Sequence, residues 1–157
     1  MCRFCWILVA ALLVSTGALV GKFIIVGETQ PAADGRTAIV LEPAERDMIL
    51  TEMRAFLGSV QGVLLSANGD DMKTLVIAAR KSGMPPPDQI PAALVGKLPL
   101  AFKKLGFDTH KRFDQLALDA EQLGDKEHAL EQLAELMNNC IACHEQYRLV
   151  GKAAAQK

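Results

Sequence analysis

The sequence predicts an all-α fold: an antiparallel four-helix bundle behind an N-terminal signal or anchor segment. Three observations predict it. Ala and Leu are abundant while aromatic residues make up 5% of the 157 residues, a balance that favours helix over sheet. After residue 42, apolar residues recur at three- and four-residue steps in four stretches, the period of helices with one buried face. Those stretches stop at Asn68-Gly69, Ser82-Gly83 and Gly124, which are helix-ending residues.

The N-terminal part, residues 1–27, is separate from that domain. Arg3 precedes an apolar run from Trp6 to Gly21, and FIIV follows Lys22. The run is either the core of a cleaved signal peptide or a retained span of about 21 residues with Lys22 snorkelling near one end. Both alternatives carry the remainder across a membrane, and both place that remainder in an exported compartment such as the periplasm. Cys2 and Cys5 lie inside the segment and read as incidental. Without Arg3 and Lys22, 15 basic residues face 18 acidic ones, a net charge of −3. Such a surface does not fit a nucleic-acid partner, and the chain has neither a GxGxxG nor a GxxxxGKS phosphate loop.

Residues 28–42, ETQPAADGRTAIVLE, mix Pro, Gly and small polar residues and read as a linker. The first helix is expected over about residues 43–67, opened by Pro43 between Glu42 and Glu45. Its stripe is Ile49, Met53, Phe56, Leu57, Val60, Val63 and Leu64. A second helix over 70–81 aligns Met72, Leu75, Val76 and Ala79. Residues 83–99 form a long connection containing three consecutive prolines, and PLAFKKL adds a helical turn before Gly106. The third helix starts at the capping residues Asp108 or Thr109 and buries Phe113, Leu116, Ala117, Ala120 and Leu123. The fourth runs from about Asp125 to Val150, with Leu130, Leu133, Met137, Cys140, His144 and Tyr147 as one inward stripe. No strand is expected, the bundle domain spans 43–150, and 151–157 form a tail.

The chemistry centres on NNCIACHEQYR. Cys140, Cys143 and His144 make CxxCH, the spacing of c-type haem attachment. On a helix, Cys140 and His144 lie one turn apart, with Cys143 near the same side. Each thiol can bond one vinyl group of a porphyrin, and the imidazole is left for the iron. A structural zinc site needs four donors, and the only other cysteines lie in the export segment. A thioredoxin-like dithiol belongs in a βαβ context, which the helical pattern does not provide. A single covalent haem c is therefore the cofactor the motif implies.

A four-helix pattern over residues 43–150, with one CxxCH near its end continuing as CHEQYR, resembles the class II cytochromes c. These are cytochrome c prime and its low-spin relatives. The resemblance implies that Cys140 and Cys143 hold the haem and His144 is the proximal iron ligand. It also implies that Arg148, one turn on, is the basic residue near the haem. Members of this family differ on the distal side. High-spin members place an apolar residue there, and low-spin members place a methionine from the first helix. In ERDMILTEMRAF, alignment on Arg46 puts Leu50 at that position, whereas alignment on Phe56 puts Ile49 there. Met53, one turn further, is the candidate sixth ligand, with Met48 a weaker one and core packing the alternative. Met137 and Tyr147 would line the haem. Arg46 and Arg148 are candidate propionate partners, with ordinary surface pairing as the alternative for each.

His110 could contact the haem or bond a backbone carbonyl, and His128 should face solvent. The resulting expectation is an electron-transfer protein, not an enzyme, exchanging electrons with a membrane-associated redox partner. A five-coordinate protein that binds nitric oxide or carbon monoxide is the alternative. A homodimer through Met72, Val76 and the outer face of the first helix is a further expectation.

Overall fold

The structure is a computed structural model that describes residues 3–152. The chain is mostly helical with a small three-stranded sheet. Helix α1 (Arg3–Val20) continues as a π-helical turn, Gly21–Val26, and is exposed along its length. Strands β1 (Thr29–Pro31) and β2 (Thr37–Leu41) follow, then α2 (Pro43–Asn68) and α3 (Met72–Arg80). A 3-10 turn (Pro87–Gln89) and α4 (Ala92–Lys97) lead into α5 (Leu100–Leu123), α6 (Lys126–Gln146) and β3 (Tyr147–Gly151).

Local chemistry sets the helix ends. Glu42 and Glu45 form a reciprocal capping box, with Pro43 in the first turn of α2. The Asp71 carboxylate accepts from the Thr74 N–H at 3.0 Å to start α3, and Asp125 does the same for His128 N–H at the start of α6. Gly124 closes α5 in the left-handed region, at φ 64°.

Helices α2, α3, α5 and α6 surround one apolar core. Val63 and Ala67, Leu75 and Ala79, Phe113 and Leu116, and Leu133 and Leu136 meet there, one pair from each helix. A methyl group at Gly62 would stand 2.8 Å from the Ala78 Cβ, so the glycine lets α2 and α3 approach closely. Ser82 Oγ and Ser59 Oγ hydrogen-bond at 2.8 Å beside that contact, both buried. The outer residues of the expected stripes behave differently. Leu57, Leu64 and Leu123 are exposed, and the small residues Ser59, Ser66 and Ala67 take the inward places on α2.

The all-α expectation is corrected by the sheet. Residues 28–42 are not a linker: β1 and β2 form an antiparallel hairpin through Asp34-Gly35, with Gly35 at φ 83°. Strand β2 then pairs in parallel with β3, placing Thr37 opposite Tyr147 and Ile39 opposite Leu149. Ala38, Ile39 and Leu41 are buried. The fourth helix therefore ends at Gln146 and not near Val150, because Tyr147 turns extended at φ −126°, ψ 153°. The run YRLVG is rich in strand-forming residues, and ladder pairing outweighs continuation of the helix. Lys152 N–H donates to the Leu41 carbonyl at 3.0 Å. The rest of the expected tail, residues 153–157, lies outside the described residues, as does Cys2.

The third helix is also longer than expected. It begins at Leu100, passes through Gly106 and absorbs the expected turn. Neither predicted cap acts as one. The Thr109 hydroxyl donates back to the Leu105 carbonyl at 2.8 Å, and Asp108 is engaged by Arg112 and Asn139.

Candidate functional site

Two core clusters meet at the CIACH segment. Cys140 is half-buried against the core shared by α2, α3, α5 and α6, on which Phe56 and Val60 of α2 also pack. Cys143, one turn on, belongs to the second cluster of Ile39, Leu41, Ile49, Leu94, Leu98 and Phe102. Met53, Tyr147 and Leu149 pack on that same cluster. Cys143 thus packs on the same cluster as the candidate distal residues Ile49 and Met53. Ile49 is fully part of this cluster, at 6% exposure. Leu50 is only half-buried, and Met48 is exposed.

The inward stripe of α6 differs from the expected one. Ala129, Leu133 and Leu136 are buried and Cys140 follows them, whereas Met137 and His144 are exposed. By the helical period His144 lies only about 40° from Cys140, and its exposure goes with its place in the last turn of α6, which ends at Gln146. The imidazole stands at the rim and has no side-chain partner among the described residues. Its backbone carbonyl accepts from Arg36 Nη1 at 3.2 Å, and the same guanidinium reaches the Tyr147 carbonyl at 3.4 Å.

The two candidate propionate arginines have other partners. Arg148 does not lie one helical turn beyond His144, because it sits on β3. There it pairs with Asp34 at 3.2 Å. Arg46 lies half-buried, 3.6 Å from Asp47. Asp34 also binds Arg36 at 2.7 Å, and these bonds, those of Arg36 foremost, hold its carboxyl below the usual range. A hairpin residue, Arg36, thus clasps the end of the CIACH helix. Tyr147 leans edge-on against Phe102, with centroids 5.4 Å apart. Sequence reading missed both Arg36 and Phe102. The Asp34-Gly35 turn between TQP and TAIVL was the available signal for the first.

The electrostatics separate the chemistries open to a CxxC pair. The thiols are not bridged. Burial raises the pKa of Cys140, and burial with the neighbouring Cys140 pushes Cys143 to about 11. A catalytic dithiol requires the opposite shift, since the thiolate is the nucleophile. Among the described residues no group of three or more His, Cys, Asp or Glu side chains converges as metal donors, so the thiols lack the further ligands of a zinc site. The donors that remain at this segment are two unbridged thiols and the adjacent exposed imidazole of His144. The space in front of Cys143 is filled by Met53, Tyr147 and neighbouring cluster residues.

His110 lies away from these thiols, 7% exposed. Its Nδ1 is 2.9 Å from the Ser82 carbonyl and 3.0 Å from that of Gly83, and Nε2 is 3.2 Å from Glu52 Oε1. The Phe56 ring meets it edge-on at 4.8 Å. Both nitrogens are engaged by acceptors, the carbonyl-bonded arrangement weighed from the sequence, and the ring is not presented to CIACH. Burial alone would lower its pKa. The Glu52 carboxylate and the two carbonyls outweigh that, and the net pKa lies above the ordinary histidine value.

A raised folded-state pKa means stability that is complete below about pH 6.5, the unfolded value, and is lost as pH rises through the folded pKa. The melting temperature is therefore expected to fall as pH climbs through and above neutrality. In His110→Gln, which cannot titrate, that slope should flatten. Parallel slopes in thermal melts of the two proteins would contradict the assignment. His128 is half-buried, 3.9 Å from Asp119, not wholly in solvent.

Compared with known protein families, with characterised proteins and with solved structures, the chain matches none.

Proposed function

We propose that this chain is an exported monohaem c-type cytochrome that transfers electrons, its core a four-helix bundle of α2, α3, α5 and α6. The observation that carries the reading is the placement of CIACH: two unbridged, half-buried cysteines near the end of α6, each packed on an apolar cluster, with the exposed His144 directly after them. Cys140 and Cys143 would hold the haem, and His144 would supply the proximal imidazole from the rim. When bound, the haem supplies an iron that cycles between ferric and ferrous states. The chain's own residues do the rest. Met53 and Ile49 form the α2 wall opposite Cys143, Phe102 and Tyr147 exclude water from one edge, and Arg36 fixes the backbone at His144.

Met53 is the candidate sixth ligand, and Met/His ligation raises the potential of a c-type haem. Buried Ile49 on the same wall favours the second reading, an open five-coordinate iron that binds nitric oxide or carbon monoxide. The absorption spectrum of the haem-loaded protein, ferric and ferrous, with and without carbon monoxide, separates them. A low-spin ferric spectrum and a ferrous spectrum indifferent to carbon monoxide are expected, and Met53→Ala should make the ferric haem high-spin and let the ferrous haem bind carbon monoxide. A wild-type spectrum that is already high-spin supports the gas-binding reading. Absence of covalent haem after expression with haem-maturation machinery would overturn both.

The redox partner is proposed to be membrane-associated. For self-association, Met72 and Val76 pack inward, which leaves the exposed Leu57 and Leu64 of α2 as the surface to test.

A further inference from the structure

The apolar N-terminal helix and the folded domain are joined without slack. Gly27 is buried at φ 69°, and a Cβ there would overlap the Lys97 carbonyl oxygen. The Glu28 N–H donates to that same oxygen at 2.7 Å, and Lys22 Nζ donates to the Gly27 carbonyl at 3.0 Å. The π-helical turn packs against α4 and α5, and β1 begins two residues after Gly27. The start of α5 therefore lies beside the point where the 23-residue apolar helix, Phe4–Val26, leaves the domain.

The outer side of α5 there carries Leu100, Lys103, Lys104, Phe107 and Lys111. Their spacing puts them on one face, opposite buried Phe102, Thr109 and Phe113. None of the three lysines forms an ion pair among the described residues. Asp108 on the same surface is bonded by Arg112 and Asn139, with Lys111 acting on it only through its charge. By contrast, Lys97 and Lys152 are paired within the domain, with Glu45 and Glu42.

We propose that this face of α5 rests on the anionic headgroups of the bilayer that α1 crosses. The lysines meet lipid phosphates, and Leu100 and Phe107 reach the acyl boundary. The inference depends on α1 being a retained span, and the test keeps the two ideas apart. The full chain is reconstituted into vesicles of phosphatidylcholine alone or mixed with phosphatidylglycerol, and lysine labelling by an amine-reactive reagent is read by mass spectrometry.

Lys103, Lys104 and Lys111 should label about fivefold less on the anionic vesicles, with the difference vanishing near about 0.5 M salt. The exposed Lys73 of α3 and Lys81, directly after that helix, should label equally on both. In a K103Q/K104Q/K111Q chain, hydrogen exchange over the first turns of α5 should become the same on the two vesicle types. Equal labelling of the three lysines, in a chain that resists alkaline extraction, overturns the docking and leaves the anchor standing. Release of the chain by alkaline wash overturns both.

Discussion

Expressed with haem-attachment machinery, this chain is expected to be red, and the colour should survive denaturing electrophoresis. Cys140→Ala/Cys143→Ala should lose both the bound haem stain and the added mass completely. The expectation rests on bond type: a haem held only by coordination leaves when the fold is destroyed, whereas thioether bonds do not. Each single variant should keep one thioether and lower haem yield. The folded domain should survive the double change, because both side chains are half-buried at a seam and not central to the core. Far-UV circular dichroism of the haem-free chains should therefore be alike. His144→Ala separates attachment from ligation. It is expected to keep the covalent colour and lose the native ferric spectrum. A haem stain that persists in the double variant would rule out CIACH as the attachment site.

Phe113→Ala is expected to have the largest effect on stability. Phe113 is fully buried in the core that α2, α3, α5 and α6 surround and stacks on Phe56 at 5.8 Å, with the ring planes 16° apart. Truncating a buried phenylalanine costs about 3–5 kcal/mol through lost transfer free energy and the cavity left behind. A domain of this size has only about 5–15 kcal/mol in total, so the variant should unfold at much lower denaturant. Leu118→Ala, on the exposed face of the same helix, is the control and should shift the midpoint little. Urea titration followed by circular dichroism measures both. Equal midpoints would mean that the Phe56–Phe113–His110 arrangement does not hold the bundle together.

The helical part of the fold was legible because its signals are local. Pro43 with its flanking glutamates, the helix-closing Gly124 and the period of α3 each act within a few residues. The sheet was not legible, although TAIVL is a run of strand formers after an Asp-Gly turn. Its three residues before the turn are too few to announce a strand, and its other partner lies at the far end of the chain. The same distance hid the end of α6. Nothing in CHEQYRLVG requires the helix to stop at Gln146, and the stop comes from ladder bonds to β2. Which side of each helix faces inward was legible only approximately. On α2 the small residues Ser59, Gly62 and Ser66 let α3 come close, and apolar periodicity gives such residues no weight. His144 illustrates the cost of reading a stripe by spacing alone, since the inward line runs through Leu136, which the expected stripe omits.

The parallel pairing of β2 with β3 also bears on the order in which the protein assembles. Most contacts among the helices join neighbours in sequence and need little loop closure. The β2–β3 ladder and the Lys152–Glu42 pair span about a hundred residues, 110 for the ion pair, so their entropic cost delays them. An early species should therefore hold the helices together while YRLVG is still unpaired, with Arg36 not yet fixed on the carbonyls of His144 and Tyr147. In that interval the two thiols are at their most open to a cofactor. Docking of the final strand packs Tyr147 and Leu149 onto the cluster that holds Cys143, so attachment of the proposed haem should be easiest before the ladder forms.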